Sequence, residues 1–344
     1  MKKLGISLVI LTIVLVMLLT DCTSKKSNPV SFVDDYSVTL TEEEGTTYTG
    51  DYFPIEEGYT CNYSGNANMD IRMEIPGSAP LEETTDAPAL GMLKVLALCS
   101  IPLPSGALPL YPIVDLTDME GQIVADTSRF FMKDAQAVYI KALKMSDGSY
   151  MEVENPIYIK SELVVGDSWE TAPKLDMTKL LANEMGETGN QANIDLKAKA
   201  KFFVVGNESI SLPIGTRNAM RLEQANEIDM VGDMFIEGIT VDLDITAELA
   251  TIYHMIPDTG IVHQNVTGFL KMELSAGGQK ITLTIDINQC ELKLTGLGEA
   301  DYSYSNTNLR KTTGQSLSFN SPFQEKLWKA SKTITRILIK KLSL

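Results

Sequence analysis

The sequence predicts an all-β protein of antiparallel curved sheets, in a half-barrel or sandwich, with few short helices and a C-terminal helix. Three observations carry this. Met69, Ile71, Met73 and Ile75 alternate with Asp70, Arg72 and Glu74, and Leu196, Ala198, Ala200 and Phe202 with Lys197, Lys199 and Lys201. That is the period-two pattern of half-buried strands. Gly277-Gly278 separates two further alternating runs, the signature of a two-residue hairpin turn. An apolar, β-prone run from Pro156 to Thr171 leads through Gly166, Asp167 and Ser168 into Trp169.

The chain has 344 residues, 44% hydrophobic and 22% charged, which describes a globular body of one large β domain or two smaller ones. Net charge is −16. Residues 27–309 carry 17 basic and 43 acidic side chains, leaving that body at −26. A surface of this sign repels nucleic acid, so a nucleic-acid partner is excluded, and it repels an anionic membrane surface as well. Solubility accounts for such a charge. Binding of a cation or a cationic partner is the functional alternative.

At the N-terminus, Lys2-Lys3 precedes the uncharged run Leu4–Thr20, an export signal by its basic and apolar parts. Leu19-Thr20-Asp21-Cys22 and the polar TSKKSNP after it resemble a bacterial lipobox. Leu19 and Cys22 fit that pattern; Asp21 stands where a small residue is usual. The resemblance implies lipid attachment at Cys22, which would become the first residue of the mature chain. An uncleaved signal anchor and ordinary secretion are the alternatives. Each route puts the body outside the inner membrane, in the bacterial cell envelope. Apart from Cys22 there are three cysteines, Cys61, Cys99 and Cys290, without C-x-x-C spacing. Neither a zinc ribbon nor a redox motif is supported.

The expected organisation is a signal peptide over 1–21, a flexible linker over 22–50, β halves over 51–165 and 166–300, and a polar linker with a basic amphipathic helix over 301–344. Asp51 to Tyr63 reads DYFPIEEGYTCNY. It resembles the opening of a β-rich family of bacterial envelope proteins of unknown function, roughly Y-[FY]-P-L-x-x-G-x-x-W-x-Y. Tyr52, Phe53, Pro54, Ile55, Gly58 and Tyr63 match, and Cys61 takes the tryptophan's place. The segment ISLPIGTRNAMRL over 210–222 and the approach to Trp169 resemble the same family. That resemblance implies a curved sheet shaped like the lipoprotein carriers LolA and LolB, and an apolar ligand in its concavity.

Element by element, an acidic loop is expected over Leu81–Pro88. MLKVLALCSI over 92–101 reads as a buried strand or a short helix. Pro102, Pro104, Pro109 and Pro112 argue against regular structure beyond short edges. Arg129–Met132 and Ala137–Ala142 suit a hairpin around KDAQ. Asp176 is a candidate N-cap for a short helix ending at Gly186.

The second half holds the firmest local prediction. A turn at Gly277-Gly278 pairs Leu274 with Ile281, Met272 with Leu283, Leu270 with Ile285 and Gly268 with Ile287. A four-residue loop at Pro257–Gly260 pairs Leu243 with Leu274, Ile245 with Met272, Ala247 with Leu270 and Leu249 with Gly268. Both turns put apolar residues on one face of the shared strand, and a one-residue slip would ruin the agreement. The result is a three-stranded meander over Gly238–Met255, Ile261–Leu274 and Lys280–Leu292.

This register sets His254 opposite His263, the only histidines of the chain. Such a pair can bind a metal or titrate near neutral pH, but a metal needs further ligands and Asp258 in the turn is the nearest candidate. Neighbouring Ile252, Ile256 and Ile261 favour a structural role at a partly covered end. Trp169 reads as a core plug, Gly166 as a turn glycine, and Gly277 and Gly278 as the hairpin turn. The sequence lacks G-x-S-x-G, the P-loop and GxGxxG, and no cofactor is implied. In the tail, Leu327, Ala330, Ile334, Ile337, Leu338 and Leu342 recur at helical spacing among lysines, fit to lie on an anionic membrane or to dock on the acidic body. The functional expectation is a lipid-anchored, non-enzymatic envelope protein that binds an apolar ligand or an envelope component. The alternative is an envelope hydrolase using a carboxylate pair.

Overall fold

The alternation in the sequence becomes the two faces of one sheet. The computed structural model describes residues 31–119, 122–145, 147–180, 191–236 and 239–298. A short helix, α1 (Phe32–Asp35), is followed by β1 (Thr47–Thr49), β2 (Thr60–Glu74), β3 (Leu81–Val95), β4 (Cys99–Leu103) and β5 (Gly106–Met119). Next come β6 (Gln122–Lys133), β7 (Ala137–Lys144), β8 (Tyr150–Glu152), β9 (Tyr158–Lys160), β10 (Glu162–Val164) and β11 (Ser168–Thr171). The long strands β12 (Gln191–Leu212), β13 (Gly215–Ile236), β14 (Ile239–Ile256), β15 (Gly260–Ala276) and β16 (Gln279–Leu297) complete the order. Signal peptide, Cys22 and C-terminal helix all lie outside the described residues.

Among the described residues, fourteen strands form one sheet along the path β11-β12-β13-β14-β15-β16-β2-β3-β5-β6-β7-β8, with β4 on β5 and β9 on β7. β1 and β10 form a separate pair. The chain is almost entirely antiparallel β, and the sheet does not close into a barrel. Its ends nevertheless approach. Glu154, after β8, and Lys174, after β11, make an isolated antiparallel bridge, with backbone bonds of 3.2 and 2.8 Å. Leu143, Met145, Met151 and Val153 from one end therefore share a buried cluster with Ile194, Met230, Ile245, Met272 and Leu283 from the other. Of the two expected shapes, half-barrel or sandwich, the main sheet takes the open, curved one: a single sheet that curls onto its own apolar face.

The meander has the predicted register, from Leu274↔Ile281 to Gly268↔Ile287 and from Leu243↔Leu274 to Leu249↔Gly268. Gly277 and Gly278 have φ of 54° and 76°, the left-handed pair that a two-residue turn of this hand requires. The β6–β7 hairpin forms around Asp134, whose carboxylate accepts the Gln136 and Ala137 amides at 2.7 and 2.9 Å. Asp176 caps a helical turn at 177–180, accepting the Lys179 amide at 2.9 Å.

Three expectations are corrected. Residues 81–88 are the first half of β3 rather than a loop. One face is exposed at Glu82, Thr84, Asp86 and Pro88, and the other carries part-buried Glu83 and Thr85, so no apolar alternation marks the strand. Pro102 lies within β4, Pro109 and Pro112 within β5, and Pro104 in the turn between them. β5 pairs over 106–110 with β4 and at 111–112 with β6, and the other side of Pro112 uses only its carbonyl, which accepts the Leu96 amide at 2.9 Å, so no second ladder needs a proline N–H. Residues 31–50 are not a free spacer but an arm laid on the sheet. The Thr41 amide donates to Val205 O at 3.0 Å and the Gly45 amide to Val165 O at 2.9 Å. β1 pairs with β10.

Gly65 marks where β2 meets β16 most closely. A Cβ there would stand 1.6 Å from the Glu291 carbonyl oxygen. Gly65→Ala must force the two strands apart and is expected to cost about 1–3 kcal/mol, read as a lower unfolding midpoint in urea.

Candidate functional site

Two buried regions have the chemistry to act. The first is the curled sheet's apolar interior. Its principal cluster has 23 buried residues, seven of them methionines: Met73, Met145, Met151, Met177, Met230, Met234 and Met272. Methionine is unbranched and polarisable, and it adapts to irregular apolar shapes. A second cluster gathers Trp169, Phe202, Val204, Leu222 and Met255 with Tyr52 and Leu163. Trp169 stacks on Phe202 with centroids 5.0 Å apart and donates its indole N–H to Tyr158 O at 3.1 Å. Gly166, just before it, turns with φ 89°. A polar band lies between the clusters on the same face. Gln224 donates to Asn226 Oδ1 at 2.6 Å and accepts from the Tyr253 hydroxyl at 2.9 Å.

The second region is on the opposite face. Cross-strand pairing aligns Arg221 (β13), His254 (β14), His263 (β15) and Lys293 (β16) in one row. Both histidines are buried. Their Nδ1 atoms are 2.8 Å apart, and the rings stack at 4.9 Å. Each outer nitrogen meets a carboxylate: His254 Nε2 bonds Glu208 Oε1, and His263 Nε2 lies 3.0 Å from Glu291 Oε1. The Arg221 guanidinium joins Glu208 Oε2 at 3.3 Å to Glu223 Oε1 at 2.6 Å. Lys293 Nζ is 3.0 Å from Glu291 Oε1.

Two β-bulges bring the carboxylates here. The register shift between Val204 and Gly206 in β12 turns Glu208 onto the histidine face. That between Ile287 and Gln289 does the same for Glu291. A bulge adds one residue to one strand and so re-aims the side chains beyond it.

Burial lowers both imidazoles below their ordinary value of 6.5; for His263 the neighbouring His254 charge adds to this. Burial would raise the Glu208 carboxyl, but the His254 bond and the Arg221 charge outweigh it and hold it low. Glu291 is held low against the same burial by Lys293 and His263. The arrangement suits a proton better than a metal. Two ligand nitrogens at about 2.0–2.1 Å in tetrahedral geometry stand roughly 3.3 Å apart, wider than the observed gap. Among the described residues, no three or more His, Cys, Asp or Glu side chains are placed so that they could hold one metal ion. Asp258, in the turn after β14, has φ 60°.

Elsewhere on this face Glu227 and Glu248 are directly opposed. Burial, followed by the Glu227 charge, raises the Glu248 carboxyl.

No family model matches the chain, and a search of curated proteins finds no match. Among solved structures, the chain is similar to a Bacteroides fragilis protein proposed to be exported, with a YmcC-like fold. That likeness has 11% identity and a TM-score of 0.26, covering 72% of this chain and 99% of that one. It is similar to a proposed lipoprotein of Parabacteroides distasonis at 10% identity and TM-score 0.25, covering 71% and 100%. A LolA-superfamily protein of Nitrosomonas europaea follows at 13% identity and TM-score 0.13, covering 73% and 94%. At these scores the likenesses carry no functional inference.

The lowered imidazoles set the sign of a pH effect. Below pH 6.5 the unfolded chain takes up protons that the folded chain refuses, so stability falls as pH drops from there. Glu208 and Glu291, held below 4.5, add a second loss beneath that value. Urea midpoints measured from pH 8 to pH 4 are expected to decline in both windows, and His254→Gln/His263→Gln is expected to flatten the upper one. Arg221→Met leaves the buried Glu223 without its cation, while Glu208 keeps His254, and is expected to cost about 3 kcal/mol at pH 7.

Proposed function

We propose that this is a lipid-anchored, non-enzymatic protein of the bacterial cell envelope that binds an apolar ligand within the curl of its sheet. The observation that carries the reading is the share of methionine in the main interior cluster, seven residues of 23, against 16 in the 344-residue chain. Adaptable methionine surfaces suit ligands of variable apolar shape. The anchor follows from the sequence, where a basic and apolar leader runs into Cys22. Eight residues separate Cys22 from Ser31, the first described residue of the arm.

A hydrolase would draw on facing carboxylates such as Glu227 and Glu248. Glu227 is already committed to the arm, accepting the Ser31 hydroxyl at 2.6 Å. That favours a structural role for the pair.

Native mass spectrometry of protein extracted from membranes tests both parts. The expected species starts at Cys22 with attached acyl chains, and carries a non-covalent apolar molecule that organic solvent removes. Met230→Gln/Met272→Gln is expected to lose that molecule and keep the lipid on Cys22. A chain that retains residues 1–21 would overturn the anchor. A ligand-free wild-type chain would overturn the binding role.

A further inference from the structure

The histidine array contains a count of protons. It has three contacts: Glu208 with His254, His254 with His263, and His263 with Glu291. Each contact is a hydrogen bond only if one proton lies in it. With both carboxylates ionised, the two rings must hold three protons on their four nitrogens. The pair then carries one imidazolium charge, shared between the two Nδ1 atoms: Glu208 and Glu291 oppose the burial that lowers each ring and hold this first proton, so the lowering falls on the second, which meets the charge already present. With one proton fewer, one contact loses its hydrogen. With one more, two N–H groups point at each other across 2.8 Å, and the central contact becomes repulsive.

The array does not end at Glu208. Its second oxygen holds Arg221, and Arg221 holds Glu223. Glu223, buried, uses its Oε2 to accept the Tyr36 hydroxyl at 2.6 Å. Tyr36 belongs to the N-terminal arm and packs on Phe203 with centroids 5.6 Å apart. Burial, and then the bond to Glu223, raises its phenol well above the ordinary value, so it donates throughout the useful pH range. The rest of the arm is held nearby: Glu227 accepts the Ser31 hydroxyl and, at 3.4 Å, the Val33 amide, and Asp34 pairs with Lys199. A continuous hydrogen-bonded chain thus runs from Glu291 on β16 to the arm.

We propose that the histidine pair is an acid-operated latch for the N-terminal arm: one shared proton keeps the arm seated, and a second proton releases it. The groups around the pair are Glu208 from β12, Arg221 and Glu223 from β13, Glu291 and Lys293 from β16, and Tyr36 from the arm. A second proton makes both rings cationic and separates them. His254 then claims Glu208 in full. Arg221 is released from Glu208 and closes on both oxygens of Glu223 as a bidentate pair. The Tyr36 hydroxyl must then share Glu223 Oε2 with the guanidinium, and its bond weakens. Because Glu208 and Glu291 stay ionised well below the imidazole range, the release occurs between about pH 6.5 and the carboxylate range. This inference rests on the arm and the array alone and is independent of the ligand and of the lipid.

Amide hydrogen exchange of the full chain in detergent, corrected for the intrinsic pH dependence of exchange, tests it. Between pH 7.5 and pH 5, exchange in residues 31–41 is expected to rise at least tenfold while β13 and β14 stay protected. In His254→Gln/His263→Gln the arm is expected to stay protected at both values. If that double variant fails to fold, Tyr36→Phe decides, because it cuts the last link and leaves the pair intact: its arm is expected to exchange fast at both pH values. A wild-type arm that stays protected at pH 5 would overturn the latch. So would a pH-dependent arm in the double variant or in Tyr36→Phe.

Discussion

The structure depends on register. In a sheet whose strands run to 22 residues, every side chain's face is fixed by which residue opposes which, and a slip of one exchanges interior and exterior. The left-handed turn at Gly277-Gly278 and the loop at Pro257–Gly260 fix β14, β15 and β16 together, and with them Leu243, Ile245, Met272 and Leu283 on the inner face. The same register sets His254 against His263 on the outer one. Where the chain needs a side chain on the other face, it spends an extra residue. The bulges after Val204 and Ile287 are how Glu208 and Glu291 reach the histidines while the strands before them keep their apolar face inward.

This explains what was legible in the sequence. The meander's register was legible from Leu243 to His254, because two turns with specific chemistry over-determined one shared strand; the β14–β15 loop is three residues rather than four, since Ile256 pairs with Gly260, and a register shift between His254 and Met255 makes up the difference. The facing histidines came with it. Their partners did not. Carried on without a break, the alternation of β16 would turn Glu291 inward, and that of β12 would do the same to Glu208. Gly206, with φ 126°, is the one visible trace of either bulge, and a lone glycine in a strand is a weak signal. The strand over 81–88 is hidden because polar residues occupy both of its faces, and β5 because its prolines fall where no second ladder needs their N–H. The arm was read as a spacer because Ser, Thr and Glu are typical of spacers. Its anchors, Thr41, Tyr36 and Ser31, bind partners more than 160 residues away.

The two faces have different energetics. The inner face contributes ordinary apolar burial, about 1.5–3 kcal/mol for each fully buried large side chain, and its methionines trade shape-specific packing for adaptability. The outer array is charged, with its two imidazoles buried and Glu208, Glu291 and Arg221 part-buried around them. Networks of that kind add little net stability once desolvation is counted, yet they are costly to leave half-satisfied. Such an array is therefore better understood as a device that distinguishes states than as a source of stability. Its position between the meander and the arm gives those states something to act on.

The central claim is that the two imidazoles share one proton. Nitrogen-15 NMR of histidine-labelled protein at pH 7 tests it most directly, since the chain has only two histidines. The account predicts a through-hydrogen-bond coupling between the two Nδ1 atoms, one strongly downfield shared proton, and a proton on each Nε2. Two uncoupled neutral rings, each in its own tautomer, would contradict it.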